Sequence, residues 1–241
     1  GASRRHWSRV IGWYSRQVAS SPKVKQDLKY RWKFPRTWSL LENPEVVLEQ
    51  VAEFAHFCTQ TPTSHQRRKV EIDQSSVETI DHGSASLLNA LGYAAWRQFR
   101  VRFSGTFPKD GESKDIVLAT GLPVQLGLSL PEPSGFKHFP LFHGFRDGSA
   151  TKSSQTEKAS TRLIQYLDDC LSDYGFRLSL ENREWFGRVV GELLSNAEEH
   201  SGRPDWWLGG YLRQLPTKHY GDCDITIMNL GHSVVETFDA L

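Results

Sequence analysis

The chain has 241 residues, 38% of them apolar and 24% charged, with 29 basic against 28 acidic side chains. Those proportions suit a globular chain of one large or two small domains. No run approaches the roughly 18 consecutive apolar residues of a membrane-crossing helix, which excludes a helical span. The three cysteines, Cys58, Cys170 and Cys223, are odd in number and far apart, with no CxxC spacing. They speak against a disulfide framework or zinc knuckle and for a reducing, cytoplasmic compartment. The basic, aromatic N-terminus lacks the apolar core of a signal peptide, and Gly1-Ala2-Ser3 reads as an appended start.

The near-zero net charge conceals a division. Residues 1–36 hold ten Lys or Arg and a single acid, Asp27, a balance of +9, which leaves −8 for the remainder. Trp7, Trp13, Tyr14, Tyr30 and Trp32 are interleaved with those cations. Residues 1–42 therefore read as a basic, aromatic N-terminal arm. Residues 4–36 suit a nucleic-acid strand, which needs phosphate neutralisation and faces for stacking. The alternative is an arm lying on the protein's own acidic body or on a partner.

Asn43-Pro44 reads as an N-cap with proline at the first helical position, and apolar residues recur at helical spacing from Val46 to Cys58. Val70-Glu71-Ile72-Asp73 alternates as a strand, and Ser75 to Thr79 is turn-like. A helix follows from Asp81, carrying Ala85, Leu87, Leu88 and Leu91. Phe99 to Phe103 alternates as a second strand, and Ile116-Val117-Leu118 is a short apolar run ahead of Gly121. Strand, helix, strand predicts an α/β unit over 43–126 with at least one parallel pair. Residues 127–155, broken by Pro131, Pro133 and Pro140, read as a connector. His138 and His143 lie in it beside Phe139 and Phe142, without the third ligand or spacing that a metal needs. A second unit, 156–241, opens with an amphipathic helix that stops near Tyr174-Gly175. A helix over Trp185–His200 and strands over 206–215 and 224–228 follow, and a new helix begins at the chain end.

The informative stretch is Gly191-Glu192-Leu193-Leu194-Ser195-Asn196-Ala197-Glu198-Glu199-His200. On a helix, each step of four turns by only about 40°, so Glu192, Asn196 and His200 share one edge. Phe186, Val189, Val190, Leu193 and Ala197 form a neighbouring face that can bury. A carboxylate can orient water and an amide oxygen suits a hard Mg²⁺ ion. The same residues also suit a solvated helix face with a C-terminal His favoured by the macrodipole.

Glu192-x-x-x-Asn196-Ala197-x-x-His200 resembles the N-box of the GHKL ATPases, above all the anti-sigma-factor and serine-kinase-like branch. The resemblance implies ATP and Mg²⁺ as cofactors. Asn196 would coordinate Mg²⁺ beneath the phosphates, Glu192 would be the water-activating base, and His200 would lie near the phosphates. In such domains the next motif is a strand ending in Asp-x-Gly-x-Gly, whose Asp receives the adenine amino group. Here Asn229-Leu230-Gly231-His232-Ser233 stands in that place, with Asn229 for the Asp, Gly231 matching and Ser233 for the second glycine. An amide both accepts and donates, so selectivity for adenine is expected to weaken. The second glycine box and the lid of such domains lie further on, so the chain is expected to be a fragment ending before the lid.

Val70 to Val77, with Ile80-Asp81 and Ala85-x-Leu87-Leu88, resembles a STAS-like domain, which implies a regulatory serine at a helix start. Ser84 is the first candidate and Ser86 the second, while Ser75 and Ser76 read as turn residues. The expected fold is α/β: a STAS-like sheet-and-helix domain followed by an incomplete GHKL α/β sandwich. The expected function is a bacterial, Mg-ATP-binding regulatory or effector protein, with ATP hydrolysis, serine/threonine phosphotransfer and coupling to a partner all open. The other expectation is a degenerate, non-catalytic interaction module. A regulatory protein partner or a further domain beyond Leu241 is implied, as is a homodimer, the common state of GHKL relatives.

Overall fold

The protein, described as a computed structural model, is traced over residues 27–60, 67–109, 111–121, 136–145, 153–200, 205–214 and 221–231. These residues form five helices and eight strands in two compact units, one before and one after the Glu132–Pro133 boundary. The fold is mixed α/β, with parallel strands in the first unit and antiparallel strands in the second.

In the first unit β1 (Leu28–Lys33), β3 (Arg68–Asp73) and β5 (Arg102–Thr106) form a parallel sheet in the order β1-β3-β5. The short strands β2 (Thr37–Trp38) and β4 (Thr79–Ile80) make a separate parallel pair. Three helices accompany them: α1 (Pro44–Thr59), α2 (His82–Phe99) and α3 (Gly111–Ala119). Leu28–Lys33 corrects the reading of 1–42 as an arm, because it pairs with β3 along its whole length. Its sequence, Leu-Lys-Tyr-Arg-Trp-Lys, alternates apolar and cationic residues as a one-sided strand requires. The cations took precedence in the sequence reading, yet Trp32 is one of the most deeply buried side chains. It stacks on Phe54 of α1 with ring centroids 4.4 Å apart and on Phe34 at 5.1 Å. Phe34 meets Trp38 edge-on at 4.5 Å, so the segment read as an arm supplies part of the aromatic core. Residues 1–26 of that arm lie outside the described residues.

Helix starts follow local chemistry. Pro44 opens α1, but Asn43 does not cap it; its Oδ1 accepts from the Ser39 N–H at 3.0 Å and its Nδ2 donates to the Thr37 carbonyl at 2.6 Å. Asp81 does cap α2, accepting from the Ser84 N–H at 2.7 Å. Phe99, expected in a strand, is the last residue of α2. Arg100 ends the helix in the left-handed region at φ 57°, and β5 begins two residues later. The Ile116-Val117-Leu118 run lies in α3, with Ile116 and Val117 buried.

The second unit pairs β6 (Phe136–Phe145), β7 (Asp205–Gln214) and β8 (Gly221–Asn229) antiparallel, in that order. Helices α4 (Ser153–Ser172) and α5 (Leu180–His200) pack on one face of this sheet. β6 and the start of α4 correct the connector reading of 127–155. Pro140, which removed the periodicity from view, sits where the ladder with β7 shifts register between Phe139 and Phe142. The shared core joins Leu163 and Leu167 of α4, Val190 and Leu194 of α5, and Trp206 and Leu208 of β7. Phe142 stacks on Trp206 at 5.6 Å. α4 ends as the sequence predicts, with Gly175 at φ 78° and the Phe176 N–H returning 3.0 Å to the Leu171 carbonyl. Asp168 then ties the connection to α5, accepting from the Leu178 N–H at 2.9 Å and pairing with Arg183. No helix among the described residues is long and apolar enough to cross a membrane.

Candidate functional site

The Glu192–His200 stretch is helical, as its spacing predicts, and forms the C-terminal part of α5. The sheet orients it. Val190, Leu194 and Ala197 point into the core, so Glu192 and Asn196 run along the flank of that buried stripe. Glu192 is exposed and Asn196 half-buried, the placement of groups that meet a ligand from solvent while held by a packed helix. His200 is the last residue of α5. Leu193 corrects the expected buried face: it is 48% exposed, because a one-residue step turns it about 100° from Leu194.

Two turns nearer the start of α5, Trp185 is 55% exposed. It precedes Glu192 by seven residues and Asn196 by eleven, which returns to the same edge of the helix within about 20°. The sequence reading missed this open indole on the edge. The seven-residue offset from Glu192 was the signal that could have found it.

β8 brings in the second part of the site. Asn229 is the last residue of β8 and pairs directly with Trp206 of β7. Directly opposed residues in an antiparallel pair share a face, so Asn229 lies on the face that buries Trp206 against the helices. The Trp206 indole donates to the Glu198 Oε1 at 2.7 Å, and the Thr156 hydroxyl donates to the same oxygen at 3.2 Å. Glu198 thus fastens α5 to α4 and β7. It sits two residues from Asn196, while Asn229 sits one strand from Trp206. Trp206 and Glu198 therefore link the helix bearing Glu192 and Asn196 to the strand end bearing Asn229. Neither was a candidate in the sequence reading.

The Asn229 Oδ1 accepts from the Gly231 N–H at 3.1 Å, a local turn that fixes the amide and uses one of its lone pairs. The carboxamide retains a lone pair and both N–H donors. Ser233 and the chain-end helix lie outside the described residues. Asn196 and Glu192 are hard oxygen donors on one helix edge, a set that fits Mg²⁺, which keeps several waters and shares phosphate ligands. Among the described residues, no group of three or more His, Cys, Asp or Glu side chains could hold a metal ion. His143, in β6, instead pairs with Asp205 at 2.8 Å and stacks on Trp207 at 5.0 Å.

Ser84 and Ser86 are fully buried. The Ser84 hydroxyl donates to the Asp81 carboxylate at 2.7 Å and accepts from the Leu40 N–H at 2.8 Å. A modifying enzyme would have to open this contact to reach it, which argues against the regulatory role. Ser75 and Ser76 are turn residues as expected: Ser75 donates to Asp73 at 2.6 Å and Ser76 to the Phe34 carbonyl at 2.9 Å.

No protein-family model, curated protein or solved structure matches this chain.

Proposed function

We propose that the second unit is a Mg-ATP-binding module of the GHKL type and that the protein couples nucleotide state to a partner. The observation that carries the reading is the order of the elements. A helix with Glu192 and Asn196 on an accessible edge is followed in chain order by the antiparallel β7–β8 pair, and β8 ends in Asn229 on the helix-packed face. Asn196 would hold Mg²⁺ and Glu192 would support it or orient water. Bound Mg²⁺ would supply charge neutralisation at the phosphates. Asn229 and Gly231 would line the base end, and His200 the phosphate end. Hydrolysis and serine/threonine phosphotransfer are both open to such a site. A STAS-like first unit, a homodimer and a cytoplasmic location belong to the same proposal.

The test is thermal unfolding with and without Mg-ATP. The wild-type protein should be stabilised in a Mg²⁺-dependent way by mass action, and Asn196→Ala should lose that shift. Equal shifts for both proteins would remove the assignment.

A second reading is a non-catalytic module of the same fold that works as an interaction surface. The Asn229 amide favours it, because its acceptor oxygen already serves the Gly231 N–H. A protein that shows no Mg²⁺-dependent shift yet binds a partner or a nucleic acid would fit this reading.

A further inference from the structure

We propose that the open face of the β1-β3-β5 sheet binds the phosphate backbone of a nucleic acid. This goes beyond the nucleotide reading and rests on the other unit, so neither depends on the other. Tyr30, Trp32, Val70, Ile72 and Phe103 occupy the face that meets α1, where Phe54 lies over Trp32. The alternate positions point the other way. Lys29, Arg31, Lys33, Lys69 and Arg102 are exposed there, as are Glu71, Ser104 and Thr106. Parallel sheets are ordinarily covered on both faces, whereas on this face these side chains are exposed.

The register sharpens the point. Lys29 opposes Lys69, and Lys69 opposes Arg102, so one row of three cations crosses all three strands. The next rows are balanced, with Arg31 opposite Glu71 and Lys33 opposite Asp73. Like charges set directly opposite one another destabilise a sheet, and this row obtains only partial relief from Asp27, 2.5 Å from the Lys69 Nζ. An anion laid along the row would relieve the repulsion. The cations stand about 4.8 Å apart across the strands, and Lys29, Arg31 and Lys33 about 6.6 Å apart along β1. A single phosphate would engage only a corner of this array, whereas a polyanion with a charge about every 3.4 Å along each strand can follow it.

The face carries no aromatic side chain, so contact falls on phosphates and is independent of base sequence. It also carries no apolar group to insert into a bilayer, which favours nucleic acid over an anionic membrane. The chain's own N-terminus is no better candidate: residues 1–26 hold Arg4, Arg5, Arg9, Arg16, Lys23 and Lys25 and no acid.

The test is fluorescence anisotropy of labelled 20-base-pair DNA and RNA duplexes with the full chain, from about 50 to 300 mM NaCl. The variant is Lys29→Gln/Lys33→Gln/Arg102→Gln, which leaves the Arg31–Asp73 and Lys69–Asp27 pairs intact. It should weaken binding at least tenfold at low salt and flatten the log K against log salt slope by about 2 to 3. Arg102→Gln alone should flatten it by about 1, and Lys29→Arg/Lys33→Arg/Arg102→Lys should bind like wild type. Neutralising the six cations of residues 1–26 in the full chain should leave binding that the triple variant still weakens. A triple variant that binds with unchanged affinity and slope would overturn the proposal, as would no duplex binding by wild type. So would capture by phosphatidylserine vesicles under salt conditions where duplexes are not held.

Discussion

Asp81 joins two parts of the first unit, and replacing it should show how much the join contributes. Its carboxylate accepts from the Ser84 N–H at 2.7 Å, the Ser84 hydroxyl at 2.7 Å and the Leu40 N–H at 2.8 Å. Burial alone would raise its pKa, but the hydrogen bonds from Ser84, Ser39 and Leu40 outweigh burial and hold it below the ordinary value. Asp81→Ala removes the helix cap, worth about 1 kcal/mol. It also takes a charged acceptor from the Leu40 N–H, which keeps only the Ser84 hydroxyl. The combined loss should be about 2–3 kcal/mol. Native-state hydrogen exchange reads this unit separately from the other. Amides of β3 and α2 that exchange through global opening should lose about 30- to 150-fold protection. Asp81→Asn, which keeps an oxygen in place, should lose less than about tenfold. Protection in Asp81→Ala within about threefold of wild type would show that Asp81 does not hold the two segments together.

His82, buried at the start of α2, has its pKa pushed down to about 4, chiefly by burial and against the pull of Asp81. The unfolded chain therefore binds the extra proton between about pH 6.5 and 4, and the stability present above that window should fall through it by up to about 3 kcal/mol. His82→Gln should flatten the profile between those pH values, as urea unfolding at a series of pH values would measure. Asp73 acts lower on the scale. Hydrogen bonds from the Ser75 hydroxyl, the Ser75 N–H and Arg31 depress its pKa to about 2, so its contribution is complete above the ordinary carboxylate range and lost as pH falls toward 2. Asp73→Asn should reduce the slope of acid unfolding in that range. Gly144→Ala would place a methyl 2.1 Å from the buried Trp206 ring, and should cost about 1–3 kcal/mol in thermal unfolding as the ring is displaced.

Much of the fold was legible because local chemistry and tertiary packing agree. Val70–Asp73 alternates and is a strand, Asp81 caps the helix that the sequence starts there, and Gly175 takes the left-handed end of α4. Four strands were missed: β2 and β4 are two residues each, too short to show a period, while the longer β1 and β6 were hidden for different physical reasons. β1 alternates as cleanly as any strand, but its polar positions are all cations, so composition spoke louder than period. β6 contains Pro140 at a register shift, an irregularity that an edge strand tolerates and a period search does not. At the candidate site the helical spacing of Glu192, Asn196 and His200 was readable. The partners that fix its surroundings were not, because the Trp206–Glu198 and Thr156–Glu198 bonds join separate elements and leave no periodic trace. Leu193 shows the limit of pattern alone: it is apolar and helical, yet one residue off the buried stripe.

Asn196 and Glu192 are the residues proposed to hold Mg-ATP. Isothermal titration of ATP into the full chain, with and without Mg²⁺, tests it most directly. Mg²⁺-dependent binding should weaken at least tenfold in Asn196→Ala, with little difference between the two proteins when Mg²⁺ is absent. Equal Mg²⁺-dependent affinities for wild type and Asn196→Ala would contradict it.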